Sequence, residues 1–392
     1  MYFASAPVAS NPGTPLEAPF PYARSFTISP VAYPNLASYV LSKFPGGASD
    51  FDTTGRTAGE NVFFDRKSRA PYMQSWNFSI QRELRRNLAL DLAYAGTSGA
   101  KLYTPGSNLN QLHPSLLGPP SQFGGLTSQQ RRPFPEFQNI AYNTFGVSSI
   151  YHSFQTKLEQ RFSAGLSFLL SYTLSKALDN GSGLFPSDNP SISSSFRLQN
   201  LYNMRGERSI AADDQAHRFV ASYTYDLPWG PGRAYLNSNS VWAKVFGSWQ
   251  IGGIALLRSG LPFGIDSTQN TTDSQGGRQR ANRVGDGKLG RDARTLDRFF
   301  DTTAFVNPPQ YQFGNSARNV VRAPGLVNFD LMLAKNFPIS ERWRLDFRAE
   351  AFNLTNTPAF GYPGATVGTP QFGVISSAGD GRQIQLALKL NW

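Results

Sequence analysis

The sequence contains no cysteine, so disulfide bonds and cysteine-based metal sites are excluded and the redox compartment is left open. It also lacks any run of about 18 apolar residues, which excludes transmembrane helices but not a barrel of alternating strands. Its three histidines, His113, His152 and His217, are too scattered for a metal pair at helical spacing. The sequence therefore predicts no catalytic residues, no metal site and no cofactor, and we do not expect an enzyme.

The first residues lack the features of a signal peptide. Met1 is followed by YFASAPVASNPGTP, which has neither a basic segment nor an apolar stretch of the required length. An exported protein needs such a signal. If the rest of the sequence indicates an exported protein, we expect that Met1 is not the natural start of the protein.

The charge is positive but is not concentrated in any one stretch. A net charge of +11 admits nucleic acid or anionic lipid as a partner. The basic residues are dispersed among acidic ones, which favours a solvated or lumenal surface, so no nucleic acid partner is expected. Aromatic residues make up 13% of the chain, a content that suits strands and the aromatic girdles of membrane barrels.

The last residues of the chain, Arg382–Trp392, alternate between apolar and polar side chains. The apolar positions are Ile384, Leu386, Leu388, Leu390 and Trp392. A strand places alternate side chains on opposite faces, and a membrane-spanning strand needs about 9–11 residues. Outer-membrane barrels typically end on such a strand with a terminal aromatic residue, which would act as the signal for the barrel-assembly machinery. A half-buried strand of a soluble sheet has the same pattern, so this segment alone leaves both interpretations open.

Eight earlier segments show the same alternation. They lie at about 76–84, 88–94, 152–162, 166–174, 219–229, 249–257, 329–333 and 343–351. The segment at 249–257 is the weakest, because Ile254 and Leu256 interrupt its polar face. We predict an all-β fold: an antiparallel up-and-down meander of about nine transmembrane strands, forming a partial outer-membrane β-barrel with long extracellular loops.

The connections between these segments alternate in length. The short ones lie at 85–87, 163–165, about 230–247 and 337–341, and the long ones at about 96–150, 179–215, 261–325 and 355–381. Outer-membrane barrels have short periplasmic turns and longer extracellular loops, whereas a soluble sandwich has no reason to sort loops by end. Residues 1–70 are rich in Pro, Gly, Ser and Asn and are interpreted as a truncated extracellular loop, and 71–392 as the barrel portion.

Tryptophans and charges occupy opposite faces of the predicted strands. Four tryptophans lie at strand ends near the short connections and occupy the same alternate positions as the apolar residues of their strands: Trp229, Trp249, Trp343 and Trp392. This placement predicts a periplasmic girdle that faces lipid. The opposite parity carries charges that are predicted to face a wet lumen, where opposite charges on neighbouring strands can pair. These residues are Lys157, Glu159, Arg161, Arg344, Asp346, Arg348 and Glu350.

The strand count indicates an incomplete barrel. Single-chain bacterial barrels have an even number of strands, and nine is odd. An open sheet would also leave two edges of unpaired backbone groups, each costing several kcal/mol in lipid. We therefore expect this chain to be the C-terminal part of something larger, with missing N-terminal strands as its partners.

Several stretches resemble the C-terminal barrel of TonB-dependent receptors of the Oar-like kind. They are PYMQSWNFSIQREL (Pro71 to Leu84), DDQAHRFVASYTYDLPWG (Asp213 to Gly230), FGNSARNVVRAPGLVNFDLMLAKNFPI (Phe313 to Ile339), RLDFRAEAFNLTNTPAFGYP (Arg344 to Pro363) and FGVISSAGDGRQIQLALKLNW (Phe372 to Trp392). The resemblance covers roughly residues 71–392 and follows many strands in order.

This resemblance implies a barrel of about 22 strands, closed by an N-terminal plug, that transports a large substrate with energy from the inner-membrane TonB complex. The signal peptide, TonB box, plug and early strands of that pattern have no counterpart in the sequence. Energy coupling is therefore not expected from this chain alone, and the TonB complex would be reached only through the missing region.

Three functional hypotheses follow from these observations. The leading one is the barrel of a TonB-dependent receptor, surrounded by outer-membrane lipid. The second is a self-contained small outer-membrane pore or surface-binding barrel, which needs a tenth strand from residues 1–70, for example at 36–44. The third is a soluble, basic all-β protein that binds nucleic acid or polysaccharide. No feature of the loops identifies a transported substrate.

Overall fold

The structure is a computed structural model that describes residues 61–65, 68–135, 137, 139–181, 198–238, 240–274, 279–339 and 342–392. Most of the predicted loop-rich segment 1–70 lies outside these residues, as does the segment 36–44 required by the small-pore hypothesis. Among the described residues, no helix is long and apolar enough to cross a membrane.

Nine long strands form one antiparallel sheet in which each strand pairs with its neighbours in sequence. Their bounds are β1 Tyr72–Arg85, β2 Leu88–Asn108, β3 Ile140–Ser163, β4 Leu166–Asp179, β5 His217–Asp226, β6 Trp249–Arg258, β7 Leu326–Pro338, β8 Arg344–Phe352 and β9 Gln383–Asn391. The predicted all-β, up-and-down meander of about nine strands is confirmed. The weak alternation at 249–257 does correspond to a full strand, because β6 pairs on both sides along its length.

Two tight turns explain how the first hairpins close. Asn87 has a φ of 68° between β1 and β2, a left-handed conformation that asparagine tolerates better than most residues. Between β3 and β4, Ala164 and Gly165 have φ of 51° and 83°. A Cβ on Gly165 would lie 2.9 Å from the carbonyl oxygen of Asp226, so glycine is also required by the neighbouring strand.

The first long connection is shorter than predicted. The loop expected at about 96–150 is reduced to residues 109–139, because β2 continues to Asn108 and β3 begins at Ile140. The pairing of these two extensions shifts register between Gly99 and Leu102 and twice more before Asn108. These irregularities break the two-residue period, so the backbone pairs here without the alternation that identifies a strand in sequence.

The sheet remains open among the described residues. β1 pairs only with β2 along its length, and β9 pairs only with β8. The short strand Asn61–Phe64 pairs in parallel with Ile140–Asn143 of β3, so it does not extend either edge of the sheet. An incomplete barrel wall is therefore what the described strands form.

The connection between β5 and β6 is not a simple turn. Residues 227–248 contain a short helix, α1 (Val241–Phe246), whose N-cap residue Ser240 accepts a hydrogen bond from the backbone N–H of Ala243 at 3.2 Å. This connection was predicted at about 230–247 and lies at 227–248, but the short helix within it was not predicted. A helix forms here because an N-cap serine precedes residues without proline or glycine.

The long loops at the other end of the sheet fold on themselves. Residues of the β6–β7 and β8–β9 loops share a hydrophobic core of Phe263, Ile265, Ala281, Phe300, Ala304, Phe305, Val321 and Val367. We call the long loops at this end of the sheet, including the β4–β5 loop, the loop cap. Short strands pair within it: Pro262–Phe263 with Val321–Arg322, Asn282–Arg283 with Phe305–Val306, and Asp266–Ser267 in parallel with Thr366–Val367. The remaining short elements are the strand Ser209–Ile210 and the 3-10 helices Pro114–Leu116, Pro120–Phe123, Arg291–Ala293 and Thr302–Ala304.

Candidate functional site

The two faces of the sheet differ in chemistry, and the register of the last strands shows this most directly. Leu386 lies opposite Ala349, which lies opposite Leu333, so three apolar residues form a row across three strands. The other apolar residues of β9 are aligned in the same way: Ile384 with Ala351, Leu388 with Phe347, and Leu390 with Leu345. Because the pairing is in phase, one face of this part of the sheet is apolar except for Lys335 of β7.

The apolar side chains of β9 on this face are exposed. Ile384, Leu386 and Leu388 are each 69% exposed. In water, a contiguous exposed apolar surface on this scale is unfavourable, at about 25 cal/mol per Å². The terminal strand therefore presents a surface that requires an apolar environment.

The opposite face carries the predicted charges, and these pair within strands. Lys157 lies 2.8 Å from Glu159, and Arg344 lies 3.1 Å from Asp346. A third pair, Arg348 with Glu350, is 3.6 Å apart. The expectation was pairing between neighbouring strands. Residues two apart on one strand share a face and are about 7 Å apart at the backbone, a gap that long side chains bridge.

One predicted member of the charged row lies beyond the regular alternation. The register between β3 and β4 shifts between Gln160 and Ser163, so the two-residue period that groups Lys157 with Glu159 does not extend to Arg161. The side chain of Arg161 is exposed, and its backbone N–H donates to the carbonyl of Asn87 at 2.8 Å. The structure therefore places Arg161 at the β3–β4 turn rather than in the middle of the sheet.

The four predicted tryptophans lie at the same end of the sheet, which we call the short-connection end. Trp249 begins β6, Trp343 precedes β8 and Trp392 follows β9. The rings of Trp343 and Trp392 are 6.1 Å apart, and the ring of Trp249 packs edge-on against Phe347 at 6.0 Å. Trp229 lies in the β5–β6 connection, where its carbonyl accepts from the N–H of Ser248.

A second aromatic group, which the sequence reasoning did not identify, lies towards the long-loop end. The indole of Trp76 donates to the hydroxyl of Tyr94 at 3.4 Å, and that hydroxyl is 2.7 Å from Nδ1 of His152. Tyr172 and His217 form a matching pair at 2.8 Å. The signal was present in the sequence, because Trp76, Tyr94 and His152 share the parity of their apolar rows. Amphipathic rings of this kind are enriched at membrane–water interfaces.

The loop cap holds ion pairs between distant segments, two of them buried on both sides and one with a half-buried arginine, Arg322. Arg318 pairs with Asp179 at the end of β4, and Arg322 pairs with Asp214 of the β4–β5 loop. A third pair joins Arg280 to Glu207. In the described parts of the chain, no group of three or more His, Asp or Glu residues is arranged to hold a metal ion. The buried charges of the cap therefore connect loops to one another.

An antiparallel meander with one apolar and one polar face, long loops at one end and aromatic residues towards both, defines the wall of an outer-membrane β-barrel. The chain belongs to the family described as outer membrane beta barrel domain, whose model matches residues 1–385. The protein is thus located in the outer membrane, and the hypothesis of a soluble binding protein is wrong. A comparison with curated proteins found no match.

Solved structures with some likeness to the chain include the outer membrane transporter YddB from Escherichia coli, at 10% identity and a TM-score of 0.43. The alignment covers 86% of this chain and 34% of YddB. The FrpB iron transporter from Neisseria meningitidis is 12% identical, with a TM-score of 0.39 and coverage of 85% and 33%. The ferric-catecholate import receptor Fiu from E. coli K12 is 12% identical, with a TM-score of 0.37 and coverage of 83% and 28%. The chain spans about a third of the length of these proteins.

Proposed function

We propose that the nine strands form part of the barrel wall of a TonB-dependent outer-membrane receptor or transporter. The observation that carries this proposal is the set of barrel stretches between Pro71 and Trp392 that resemble such receptors. The nine-stranded, two-faced sheet with two open edges agrees with it. In this proposal, residues 71–392 belong to the wall and 1–70 to an extracellular loop.

The orientation follows from loop length and aromatic placement. We assign the short-connection end, with Trp229, Trp249, Trp343 and Trp392, to the periplasmic interface, and the loop cap to the outside. The apolar face then meets lipid. The face that carries Lys157, Glu159, Arg344, Asp346, Arg348 and Glu350 then lines a wet lumen, and Arg161 lies at its periplasmic rim. On the lipid face, each Lys or Arg at the membrane midplane would cost about 2–4 kcal/mol, which favours this assignment.

Further strands and a plug complete the proposed transporter. The backbone groups on the outer edges of β1 and β9 need partners in lipid, because each unsatisfied group costs several kcal/mol there. We propose that additional strands supply them, that the barrel-assembly machinery recognises β9, and that energy from the TonB complex enters through a plug outside the described residues. The nine strands alone would then neither transport actively nor catalyse a reaction.

Cysteine cross-linking tests whether the wall closes on itself. The absence of natural cysteine means that two introduced cysteines are unique. Pairs between β9 (Gln385→Cys) and each of three β1 positions (Asn77→Cys, Ser79→Cys, Gln81→Cys) are treated with a short bismaleimide in outer membranes. The control is Arg348→Cys with Ala387→Cys, which face each other across β8 and β9.

The proposal predicts cross-linking in the control and none between β1 and β9. Efficient β1–β9 cross-linking would instead show that the nine strands close on themselves without further strands, which contradicts the proposal. A second measurement addresses energy coupling. The isolated periplasmic domain of TonB should not capture the 392-residue chain from detergent extracts. Specific capture of that chain would show that the coupling element lies within it and would contradict the proposal.

A further inference from the structure

Helix α1 presents its large apolar side chains to the outside. Val241 is 73% exposed, Trp242 66%, Val245 47% and Phe246 50%, whereas Ala243 is fully buried. The rings of Trp242 and Phe246 stack at 5.8 Å across one helical turn. A surface helix in water has the opposite arrangement, with its large apolar residues turned inward. The outer surface of α1 therefore fits an apolar environment.

A lysine of the sheet binds the C-terminal end of this helix. Nζ of Lys335 donates to the carbonyl oxygens of Lys244, Val245 and Gly247, each at 2.7 Å. The last carbonyls of a helix have no partner within the helix, and they carry partial negative charge. One buried ammonium group, with its three donors, thus satisfies the C-terminal end of α1.

The position of Lys335 shows on which side of the wall the helix lies. Lys335 is opposite Trp249 on β6 and Phe347 on β8, so it belongs to the apolar row. Its ammonium group lies 5.1 Å from the ring centre of Trp249 and 4.9 Å from that of Phe337. The side chain is only 3% exposed. Because the helix covers a cation on the apolar face, α1 lies against the outside of the wall.

The exposed surface of α1 is continuous with the apolar face of the sheet. The indole of Trp249 donates to the carbonyl of Val245 at 3.1 Å, which joins the helix to the tryptophans of the short-connection end. Lys244, at the last turn, is exposed beside these apolar residues. Apolar side chains with an indole and an adjacent cation match the boundary between acyl chains and phosphate headgroups.

We propose that α1 is a membrane anchor that lies in the headgroup–acyl boundary of the periplasmic leaflet and is held to the barrel wall by Lys335. This inference rests on the orientation given under the proposed function. The partner is a phospholipid surface: the apolar residues of α1 enter the acyl region, and Lys244 meets phosphate. Side chains of an interfacial helix reach about 5–10 Å into the boundary, a depth that can be measured.

Spin labels on unique cysteines test the proposal with the full chain in phosphatidylethanolamine–phosphatidylglycerol bilayers. The test position is Trp242→Cys. Ser238→Cys, on the same connection, is the water-exposed control, and Leu386→Cys on the exposed apolar face of β9 is the lipid reference. Collision with oxygen reports contact with lipid, and collision with a water-soluble nickel chelate reports contact with water.

We expect the label at 242 to collide several-fold more often with oxygen than with the nickel chelate, and the label at 238 to show the reverse. Equal nickel access at 242 and 238, with the reference in lipid, overturns the anchor but leaves the barrel intact. Low access of 242 to both reagents indicates a protein partner and also overturns the anchor. Water contact at Leu386 overturns the membrane orientation and the anchor together.

A substitution of Lys335 separates the anchor from general stability. Lys335→Met keeps a long side chain on the apolar row but removes the three donors, so α1 should detach while the strand remains paired. The label at 242 should then become mobile and several-fold more accessible to nickel. Lys389→Met, on the opposite face of β9, is the matched control and should leave the label unchanged. An unchanged signal in Lys335→Met would show that Lys335 does not hold the helix.

Discussion

Arg280 and Glu207, which are 73 residues apart in the chain, form a bidentate ion pair inside the loop cap. Nη1 of Arg280 lies 2.8 Å from Oε2 of Glu207, and Nη2 lies 3.3 Å from Oε1. The side chains are 10% and 1% exposed. This pair joins the β4–β5 loop to the β6–β7 loop.

Breaking this pair should open the cap. Arg280→Met leaves the buried carboxylate of Glu207 without its partner, and we expect the cap to lose about 3–5 kcal/mol of stability. Limited proteolysis of the loops and amide exchange within residues 198–210 would report this loss. The double variant with Glu207→Leu should recover much of the stability, because no unpaired charge remains. Lys288→Met disrupts the exposed pair with Asp286 and should change stability by less than about 1 kcal/mol.

The terminal strand should tolerate charge on one face only. Leu388 lies opposite Phe347 on the apolar face, and Ala387 lies opposite Arg348 on the charged face. Leu388→Lys places a cation towards lipid at a cost of about 2–4 kcal/mol near the midplane, so assembly into the outer membrane should fall sharply. Heat-modifiable mobility on gels measures assembly. Ala387→Lys adds the same charge one residue away and should assemble normally. Equal assembly of both variants would contradict the face assignment.

The last aromatic residue should contribute to recognition as well as to the girdle. Deleting Trp392 removes the ring that packs against Trp343 and the terminal element of the proposed assembly signal. We expect lower levels of the protein in the outer membrane and more in the periplasm. Trp392→Phe keeps an aromatic terminus and should restore most assembly. Normal membrane levels without Trp392 would show that the terminal residue is not required.

One carboxylate should make part of the loop cap sensitive to acid. Asp301 has a lowered pKa because its carboxylate accepts hydrogen bonds from Thr303 and pairs with Arg298. A lowered pKa in the folded state stabilises the fold above the unfolded pKa of about 3.9, and this contribution is lost as the pH falls through the folded pKa. The protection of the Thr303 amide, measured relative to its intrinsic exchange rate at each pH, should therefore fall below about pH 4. Asp301→Asn should exchange faster at neutral pH and lose this acid transition, whereas Asp297→Asn provides a control for lost charge in the same loop.

The position of the Trp76 indole, in the aromatic group near the long loops, should depend on Gly96. A Cβ on Gly96 would lie 2.3 Å from the indole of Trp76, so Gly96→Ala must displace that ring. Overpacking of this kind costs about 1–3 kcal/mol. Tryptophan fluorescence in lipid should shift to the red as the indole moves towards water. Gly146→Ala, where no atom lies within 4 Å of the added carbon, should leave the spectrum unchanged.

The alternation in sequence was sufficient to predict the wall. Each long strand was identified from a two-residue period, and the faces of Leu386 and Asp346 follow from that period alone. The tight turns at Asn87 and Gly165 were also identified from local sequence, because their left-handed backbone favours these residues. The location of the tryptophans at the short-connection end could also be predicted from the sequence, because they occupy apolar alternate positions at the ends of strands.

The rest depended on tertiary structure. The extensions of β2 and β3 have shifted registers, so backbone pairing rather than side-chain period defines them. The core around Phe263 and Phe300 joins loops that are far apart in sequence and have no period to reveal it. The ion pairs within strands form because long side chains bridge residues two apart on one face. The alternation in sequence shows that these residues share a face but not which of them pair.

Lys335 shows the difference between the two kinds of information. Its sequence position places it on the apolar row of β7, where a lysine has no evident reason to be. Only the fold brings the final carbonyls of α1 to within 2.7 Å of its ammonium group, from a segment about 90 residues earlier. The sequence by itself determined the strands and their faces, because a strand's side-chain period is local. The tertiary structure decided the loop cap and the position of α1, because hydrogen bonds and packing between distant segments leave no periodic trace in the sequence.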